Sequence, residues 1–334
     1  MENNCFSFTV VSNALASQAA LHAEYGGVYP NLAKREHIKN LPLMLKEALG
    51  DISLNTIDAI AVTRGPGLEP ALWTGITFAE QLAKEWQKPL LAINHMEGHL
   101  VSSLAQDGKV ENVKLPVLAL LISGGHTEFI KMEEWFEYEM IGQTLDDAVG
   151  EAFDKVARML AMPYPGGPHI SRMAEHARNT NVVSKIKLPR PMLHDDSCNV
   201  SFSGLKTAVL YALRDMGGIQ VTTPDDRAAF AREFEDAVAE VLIAKTKRAL
   251  EQTGAQTMVL GGGVAANKYL RKAIGDAVAK DFPHVDFRLP DTSITGDNAI
   301  MIAEAALARM LSGKIEPAVE PMVAKGNLSL SEAV

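Results

Sequence analysis

Thr257-Met258-Val259-Leu260-Gly261-Gly262-Gly263 is followed by a segment that continues, in one-letter code, VAANKYLRKAIGDAVA to Ala279. The apolar stretch 257–260 predicts a short buried strand, the three glycines predict a turn, and the periodicity of 265–279 predicts an amphipathic helix. The same unit recurs earlier, where the strand-like segment 58–63 precedes a glycine turn and a helical pattern over 72–86. Strands that alternate with helices predict an α/β protein with a largely buried sheet.

Other segments extend this organisation. The apolar run 117–122 is interrupted by Ser123-Gly124-Gly125-His126 and resumes at 127–132, which predicts a hairpin. Helical periodicity occupies three longer segments, 147–160, 203–213 and 226–252. The segment 108–115 is polar and ends before Pro116, so we expect the boundary between two lobes there.

Composition limits the functional classes. The chain has 334 residues, enough for two lobes, with 47% apolar and 22% charged residues, as in soluble globular proteins. No apolar run reaches the ~18 residues of a membrane span, and no basic region precedes the first apolar stretch. Cys5 and Cys198 are the only cysteines, too few for a disulfide framework. We therefore expect a cytoplasmic protein without membrane association.

The net charge of −9 argues against a stand-alone nucleic-acid binder, because such binding depends on Lys and Arg neutralising phosphates. A nucleic-acid role would need a local basic patch or a partner protein. Lys34-Arg35 and the stretch 185–190 are the candidates, although such basic runs are usually only solvated surface.

His95 and His99 follow the apolar run 89–94 directly. On a helix these two positions lie on one face with Cβ atoms about 5–6 Å apart, close enough for two imidazoles to share one ion. The alternative is a pair of ordinary surface or capping histidines. A zinc protease of the H-E-x-x-H type is excluded by geometry, since Glu97 lies about 200° around the helix from His95 and points away from such an ion.

Three glycine-rich turns could bring backbone N–H groups to an anion. They are Ser123-Gly124-Gly125-His126-Thr127, Tyr164-Pro165-Gly166-Gly167-Pro168 and Gly261-Gly262-Gly263-Val264-Ala265-Ala266-Asn267. Tight turns also need glycine for purely conformational reasons, and none of the three matches a Walker A or G-x-G-x-x-G motif. Together they favour a nucleotide held between two lobes, each turn following a strand.

Two aspartates have both a functional and a structural interpretation. Asp154 lies within a helical segment, where it could accept a hydrogen bond from a ligand hydroxyl or form an ion pair with Arg158 at i+4. Asp297 precedes the apolar helix that starts at Ala299, where it suits an N-cap. A carboxylate is also the hard ligand that the two histidines lack.

These motifs, taken together and in order, resemble the bacterial tRNA threonylcarbamoyladenosine transferase family of the TsaD type. The matching segments are Ala23-Glu24-Tyr25-Gly26-Gly27-Val28, Arg64 to Leu68, His95 to His99, Leu121 to Thr127, Asp147 to Lys155, Tyr164 to Pro168, Phe202 to Lys206 and Gly261 to Asn267. The resemblance runs from about Val11 to the helix after Asp297.

The resemblance implies the two-lobed fold of actin, Hsp70 and sugar kinases, with the ligand in the cleft between lobes. We expect a first lobe of residues 1–115 plus 298–334 and a second lobe of residues 116–297. The family also implies that His95, His99 and Asp297 bind one divalent ion, for which iron, zinc and magnesium all have to be considered. The residues implied to hold threonylcarbamoyl-AMP are Leu121, Ile122, Ser123, Gly124, Gly125, Asp154, Gly167 and Asn267.

The implied reaction transfers the threonylcarbamoyl group to N6 of adenosine-37 in tRNAs that read ANN codons, releasing AMP. The donor is a mixed anhydride with a good leaving group, so the reaction needs only polarisation and orientation of its carbonyl. A Lewis-acid ion would polarise the carbonyl. No catalytic side chain and no general base is assigned. The implied partners are tRNA, an inactive paralogue of similar fold (TsaB type) and a small ATPase (TsaE type).

The N-terminus departs from the family. Members normally begin with a strand and turn close to G-I-E-T-S-C-D-E-T, and Met1-Glu2-Asn3-Asn4-Cys5 does not match it. An N-terminally incomplete chain with weakened activity and stability is therefore expected. Two alternatives follow: a non-catalytic nucleotide-binding or scaffold protein, and, on fold analogy alone, an ATPase or sugar kinase.

Overall fold

The computed structural model describes residues 5–291, 295–318 and 321–332 and shows a two-lobed α/β architecture. The strands are β1 (Phe6–Ser7), β2 (Ile60–Gly65), β3 (Leu90–Asn94), β4 (Lys109–Val110), β5 (Val117–Ile122), β6 (Thr127–Met132), β7 (Tyr138–Gln143), β8 (Thr257–Gly261) and β9 (Asp286–Arg288). The helices are α1 (Ala19–Ala23), α2 (Pro30–Leu49), α3 (Glu69–Trp86), α4 (His95–Leu104), α5 (Val149–Met159), α6 (Gly166–Asn179), α7 (Ser203–Asp215), α8 (Pro224–Thr253), α9 (Lys268–Asp281) and α10 (Ala299–Ser312).

The larger sheet has five strands in the order β7-β6-β5-β8-β9. The predicted hairpin is confirmed, because β5 pairs antiparallel with β6 from Val117↔Met132 to Ile122↔Thr127. β8 lies parallel to β5 on its other side, and β9 is parallel to β8. Every residue of β5 is buried, as a continuous apolar strand at the centre of a covered sheet should be.

Alternate side chains of this sheet enter two separate cores. Leu118 and Leu120 pack in the core formed with helices α5 to α9. Ala119 and Leu121 pack in a second core with residues of α4 and α10. The helix that begins at His95 and the helix that follows Asp297 therefore lie on the same face of the sheet.

The other lobe contains a two-stranded parallel sheet, in which β2 pairs with β3, and the helices α2 and α3. β1 and β4 form a separate antiparallel pair. The segment 321–332 packs along the end of β2: Lys325 N donates to the Arg64 carbonyl at 3.1 Å, and Gly67 N donates to the Gly326 carbonyl at 3.0 Å. A Cβ on Gly65 would lie 1.9 Å from the Lys325 carbonyl oxygen, so only glycine permits this approach.

Three local expectations were wrong in detail. The helix expected over 265–279 is a 3-10 turn at Gly263–Ala266 followed by α9, because the Asn267 side chain accepts from Leu270 N and starts a new helix. The turn Tyr164 to Pro168 connects α5 to α6 and does not follow a strand. The helix expected from Leu72 starts at Glu69, with Pro70 in its first turn.

α4 and α10 pack closely together. The lobe limits of 1–115 plus 298–334 and 116–297 stay a prediction. Among the described helices, none combines the length and the apolar character needed to cross a bilayer.

Candidate active site

The helix that carries the two histidines begins where the sequence predicts. β3 ends at Asn94, whose Oδ1 accepts from Met96 N at 2.8 Å and Glu97 N at 3.4 Å and so caps α4. Asn94 Nδ2 donates to the Ser329 carbonyl at 3.3 Å, which joins the cap to the C-terminal segment. The residues after His95 in this helix are all buried. His95 therefore starts a rigid element.

Asp297 reaches the histidines because α10 crosses close to α4. A Cβ on Gly98 would lie 3.1 Å from Ile302 Cδ1 and 3.3 Å from the Met301 carbonyl, so a larger residue would push the two helices apart. The N-cap of α10 is Asn298, whose Oδ1 accepts from Met301 N at 3.0 Å, and the expected N-cap role of Asp297 is wrong. Asp297 lies one residue before the cap, and its carboxylate is free to face α4.

The three predicted metal ligands come together. Asp297 Oδ1 lies 3.3 Å from His95 Nε2 and 3.2 Å from His99 Nε2. The donor atoms all lie within 4.8 Å of one another, and the imidazole rings are nearly perpendicular, at 87°. Donors bound about 2.1 Å from one ion at tetrahedral angles would lie roughly 3.4 Å apart. The arrangement fits a metal ion.

The electrostatics also suit a cation. Burial, more than the nearby charge of His95, lowers the pKa of His99, so its ring is neutral near pH 7 and has a lone pair to donate. Desolvation opposes ionisation of Asp297, but hydrogen bonds with both imidazoles outweigh it and hold the pKa of this carboxyl well below its usual range. The Asp297 side chain is 72% exposed overall, while its Oδ1 is turned inward onto the rings.

Glu97 is excluded from this centre, as its place on the helix predicts. Its side chain is fully buried and pairs with Arg309 at 2.8 Å. It also accepts a hydrogen bond from the Tyr138 hydroxyl at 2.6 Å. Burial and then the neighbouring carboxylate raise the pKa of Tyr138 well above its usual range, so the phenol stays protonated as a donor. The role of Glu97 is structural.

The first glycine turn opens beside the histidines. Ser123 Oγ accepts from His126 N at 3.0 Å and from Gly125 N at 3.3 Å, which shapes the turn after β5. Burial lowers the pKa of His126, and the charge of His95 lowers it further. A Cβ on Gly124 or Gly125 would have no described atom within 4 Å, so neither glycine is required by packing.

Gly150, in α5, differs from Gly124 and Gly125, because close packing requires a glycine there. A Cβ there would lie 2.6 Å from the Ser123 carbonyl oxygen and 2.8 Å from Gly124 Cα. Glycine at this position lets the first turn of α5 press against the turn after β5. The N-terminus of α5 is thereby brought to the cleft, where it favours negative charge.

The third glycine turn contacts α4, the helix that carries His95 and His99. A Cβ on Gly261 would lie 2.6 Å from Ser103 Oγ and 3.1 Å from the His99 carbonyl. Gly262 has φ +88° and would place a Cβ 2.4 Å from the Ile122 carbonyl oxygen, so both backbone conformation and space demand glycine. Gly263 has negative φ and open space around it, like Gly124.

Asp154 and Gly167 meet at the second turn. Asp154 Oδ1 accepts from Gly166 N at 2.7 Å, and among the described residues it forms no ion pair with Arg158. The Arg158 guanidinium instead donates to the Gly26 carbonyl of the other lobe. Burial raises the pKa of Asp154 despite the bonds from the Gly166 and Gly167 amides. A Cβ on Gly167 would just touch Phe153, at 4.0 Å.

Asn267 is already heavily bonded. Its Nδ2 donates to Ser171 Oγ and to Glu235 Oε1, both at 2.8 Å, and its Oδ1 caps α9. Glu235 is fully buried and also pairs with Arg178 at 2.6 Å. Leu121 and Ile122 point their side chains into the two cores, so only their backbone faces the turn. The adenylate contacts of all eight implied residues stay a prediction.

Sequence reasoning missed several residues that shape the centre. Asn94 and Asn298 cap the two helices, and an asparagine just before each helical pattern was the signal available. His126 was recognised only as part of a turn. The Tyr138 and Arg309 partners of Glu97 carry no local signal, because they are 41 and 212 residues away.

The fold and site together define a class: a two-lobed α/β protein with a His–His–Asp centre beside glycine turns. The comparisons agree. The family TsaD, tRNA N6-adenosine threonylcarbamoyltransferase, matches residues 9–304. The chain belongs to this family.

Relatives support the assignment over most of the chain. A tRNA N6-adenosine threonylcarbamoyltransferase of Paraburkholderia xenovorans is 46% identical over 303 residues, covering 90% of this chain and 86% of the relative. A protein of the same description from Dichelobacter nodosus is 42% identical over 322 residues, covering 96% of this chain and 90% of the relative.

Among solved structures, the chain is similar to T. kodakarensis HypF, with a TM-score of 0.56 and 16% identity. A second HypF structure, full-length and in the phosphate- and nucleotide-bound form, has a TM-score of 0.54 and 12% identity. The matches cover 84% and 81% of this chain but only 44% and 41% of the HypF chains. At these identities the likeness concerns the fold alone.

Proposed function

We propose that this protein transfers the threonylcarbamoyl group from threonylcarbamoyl-AMP to N6 of adenosine-37 in tRNAs that read ANN codons, releasing AMP. The observation that carries the proposal is convergence: a Cβ on Gly261 would lie 3.1 Å from the His99 carbonyl, and one on Gly262 would lie 2.4 Å from the carbonyl of Ile122, the residue before the His126 turn. The glycine turns, which suit a phosphate, and the two histidines with Asp297, which suit a metal ion beside a carbonyl, would thus form one site. The family to which the chain belongs acts, by its description, on the same atom.

The glycine turns provide the anion side of the site. No side chain of the described residues fills the space beside Gly124, Gly125 and Gly263, so a ligand would be able to approach the backbone closely there. N–H groups of such turns, with the N-terminus of α5, favour the phosphate of an adenylate. The Asp154 carboxylate, which accepts from Gly166 N, would also accept a hydrogen bond from a ligand hydroxyl.

His95, His99 and Asp297 would hold one divalent ion, which when bound would polarise the carbamoyl carbonyl as a Lewis acid. Iron, zinc and magnesium all suit this donor set to different degrees, two imidazoles favouring iron or zinc. The remaining work of the chain is to orient the donor and exclude competing water.

In the proposed reaction the N6 amine of adenosine attacks the carbamoyl carbon. A new C–N bond forms, the C–O bond to the AMP phosphate breaks, and one proton leaves the amine. AMP departs with the bonding electron pair. A mixed anhydride needs no protein nucleophile for this step, and no side chain is assigned as general base.

The acidic chain needs partners for tRNA. We propose that an inactive paralogue of similar fold and a small ATPase assist it, in the cytoplasm, because a net charge of −9 disfavours RNA binding by the chain alone. No observation favours the scaffold alternative, and the kinase alternative rests only on fold likeness.

The test is a reconstituted transfer assay with tRNA, threonylcarbamoyl-AMP and the two partner proteins. We expect modified adenosine and AMP in equal amounts, and loss of both in the Asp297→Ala variant. AMP release without modified tRNA would indicate hydrolysis only. Tight adenylate binding with no turnover would replace the proposal with the scaffold alternative.

A further inference from the structure

The segment Tyr25-Gly26-Gly27-Val28-Tyr29 is part of a family-like motif that the proposed chemistry does not use. The two tyrosine rings stack on each other, with centroids 5.4 Å apart and planes at 22°. They are 59% and 49% exposed, and Val28 between them is 48% exposed. One aromatic face of each ring is therefore available to solvent.

Specific contacts fix the position of the segment that carries the two tyrosines. Tyr29 N donates to His22 Nδ1 at 3.3 Å, and Gly27 N donates to the His22 carbonyl at 3.4 Å. The Arg158 guanidinium donates to the Gly26 carbonyl. Because Arg158 lies one turn beyond Asp154 on α5, about 6 Å along the helix axis, the tyrosines are fastened beside the proposed adenylate site.

The chain segment that continues from the tyrosines into α2 is basic in a chain that is otherwise acidic. Residues 25–39 contain Lys34, Arg35 and Lys39 against one acid, Glu36, a net charge of +2 in a chain of −9. Lys39 pairs with Glu36 at 3.7 Å. Lys34 and Arg35 are exposed and form no ion pair with the described part of the chain. Exposed aromatic rings next to free cations are the features that bind single-stranded nucleic acid.

We propose that Tyr25 and Tyr29 form a stacking platform for an unpaired base of the tRNA loop that carries the acceptor adenosine, with Lys34 and Arg35 contacting its phosphates. The inference rests on the proposed function and adds the surface that receives the RNA. Bases of a single-stranded loop are recognised chiefly by stacking on aromatic side chains once they leave their own stack. The platform would hold the loop open beside the cleft.

The test compares ring removal with hydroxyl removal in the reconstituted reaction. Tyr25→Leu/Tyr29→Leu should raise the KM for tRNA at least roughly tenfold, since stacking on one aromatic ring strengthens binding by about that factor. Tyr25→Phe/Tyr29→Phe should leave it within about twofold, because the rings remain. The KM for threonylcarbamoyl-AMP and the melting temperature should not change in either variant. Tyr211→Leu is the matched control, an exposed tyrosine (51%) on α7.

A second measurement uses tRNA with 2-aminopurine in the anticodon loop, whose fluorescence is quenched by stacking. Binding to the wild-type protein with its partners should quench it, and the leucine variant should not. Unchanged KM and unchanged quenching in the leucine variant would overturn the platform, as would equal losses in the phenylalanine variant. Loss of partner assembly alone would assign the surface to a protein. If the wild type quenches but transfers nothing, the proposed function fails while the platform stands.

Discussion

At the residue scale, the glycines of the turns divide into two kinds. Gly150 and Gly262 are required by packing, because a Cβ would lie 2.6 Å and 2.4 Å from backbone oxygens. Gly124 and Gly263 have open space and ordinary backbone angles. Packing among the described residues does not explain the second kind, whereas a ligand that approached the backbone there would explain it.

This division makes a prediction with its own controls. Gly124→Ala and Gly263→Ala should weaken binding of a non-hydrolysable threonylcarbamoyl-AMP analogue at least roughly tenfold, about 1.4 kcal/mol, with an unchanged melting temperature. Gly150→Ala and Gly262→Ala should instead lower the free energy of unfolding by about 1–3 kcal/mol, through overpacking. Calorimetry and urea denaturation measure the two effects. If Gly124→Ala and Gly263→Ala both leave the affinity for the analogue unchanged, no ligand binds at these turns.

At the element scale, the centre depends on two capped helices that cross at Gly98. Asn94 starts α4 and also bonds the Ser329 carbonyl, so the C-terminal segment helps to place His95. Asn298 starts α10 and leaves Asp297 free. Ligand geometry is thus set by caps and by helix contact more than by the ligands themselves.

Asn94→Ala should therefore cost about 1 kcal/mol of unfolding free energy, as lost N-caps do, and should also weaken metal binding. Asn94→Asp keeps the capping oxygen but loses the donor to Ser329, so it should retain more of the helix stability. Titration with Zn²⁺ or Fe²⁺, read beside urea denaturation, separates the two contributions. Full metal affinity in Asn94→Ala would show that the cap does not position His95.

The α4–α10 contact also contains a buried acid. Neither carboxylate oxygen of Glu304 has a hydrogen-bond partner among the described residues, and Ser102 Oγ, across the contact, has none either. Burial raises the pKa of Glu304 to about 7, although Ser102 nearby opposes the shift. The unfolded chain, with the ordinary value of 4.5, releases this proton first as the pH rises. Stability is therefore lost between about pH 4.5 and 7.

Glu304→Gln removes this loss. Between pH 5 and pH 8, the unfolding free energy of the variant should rise relative to that of wild type by about 2.5 kcal/mol, because each unit of pKa shift corresponds to about 1.36 kcal/mol. Urea denaturation at both pH values measures it, with the exposed Glu251→Gln as control. If the difference in unfolding free energy between Glu304→Gln and wild type does not vary with pH, Glu304 is already ionised in the folded state.

At the scale of the whole molecule, the sequence predicted what depends on local pattern. The hairpin of β5 and β6, the start of α4 at His95 and the direction of Glu97 away from the two histidines all follow from periodicity. Helix starts were less certain, because a single cap such as Asn267 divides a continuous pattern in two. The family resemblance, not the spacing, supplied Asp297.

What could not be predicted depends on contacts between distant segments. The Arg309 partner of Glu97, the Ser329 contact of Asn94 and the bond from Arg158 to Gly26 join residues more than 130 positions apart. No pattern within a short window contains such information. The same limit applies to the stacking of Tyr25 on Tyr29, which the sequence motif alone does not predict.

The central claim is that His95, His99 and Asp297 hold one metal ion in the cleft. The most direct measurement is metal content per chain, by elemental analysis after purification and by titration, in the three single alanine variants. His284→Ala and Glu251→Gln, which alter exposed residues elsewhere in the fold, serve as controls. We predict about one ion per chain in the wild type and both controls, and a loss of at least tenfold in affinity in each of the three variants. Metal retained in all three would contradict the account.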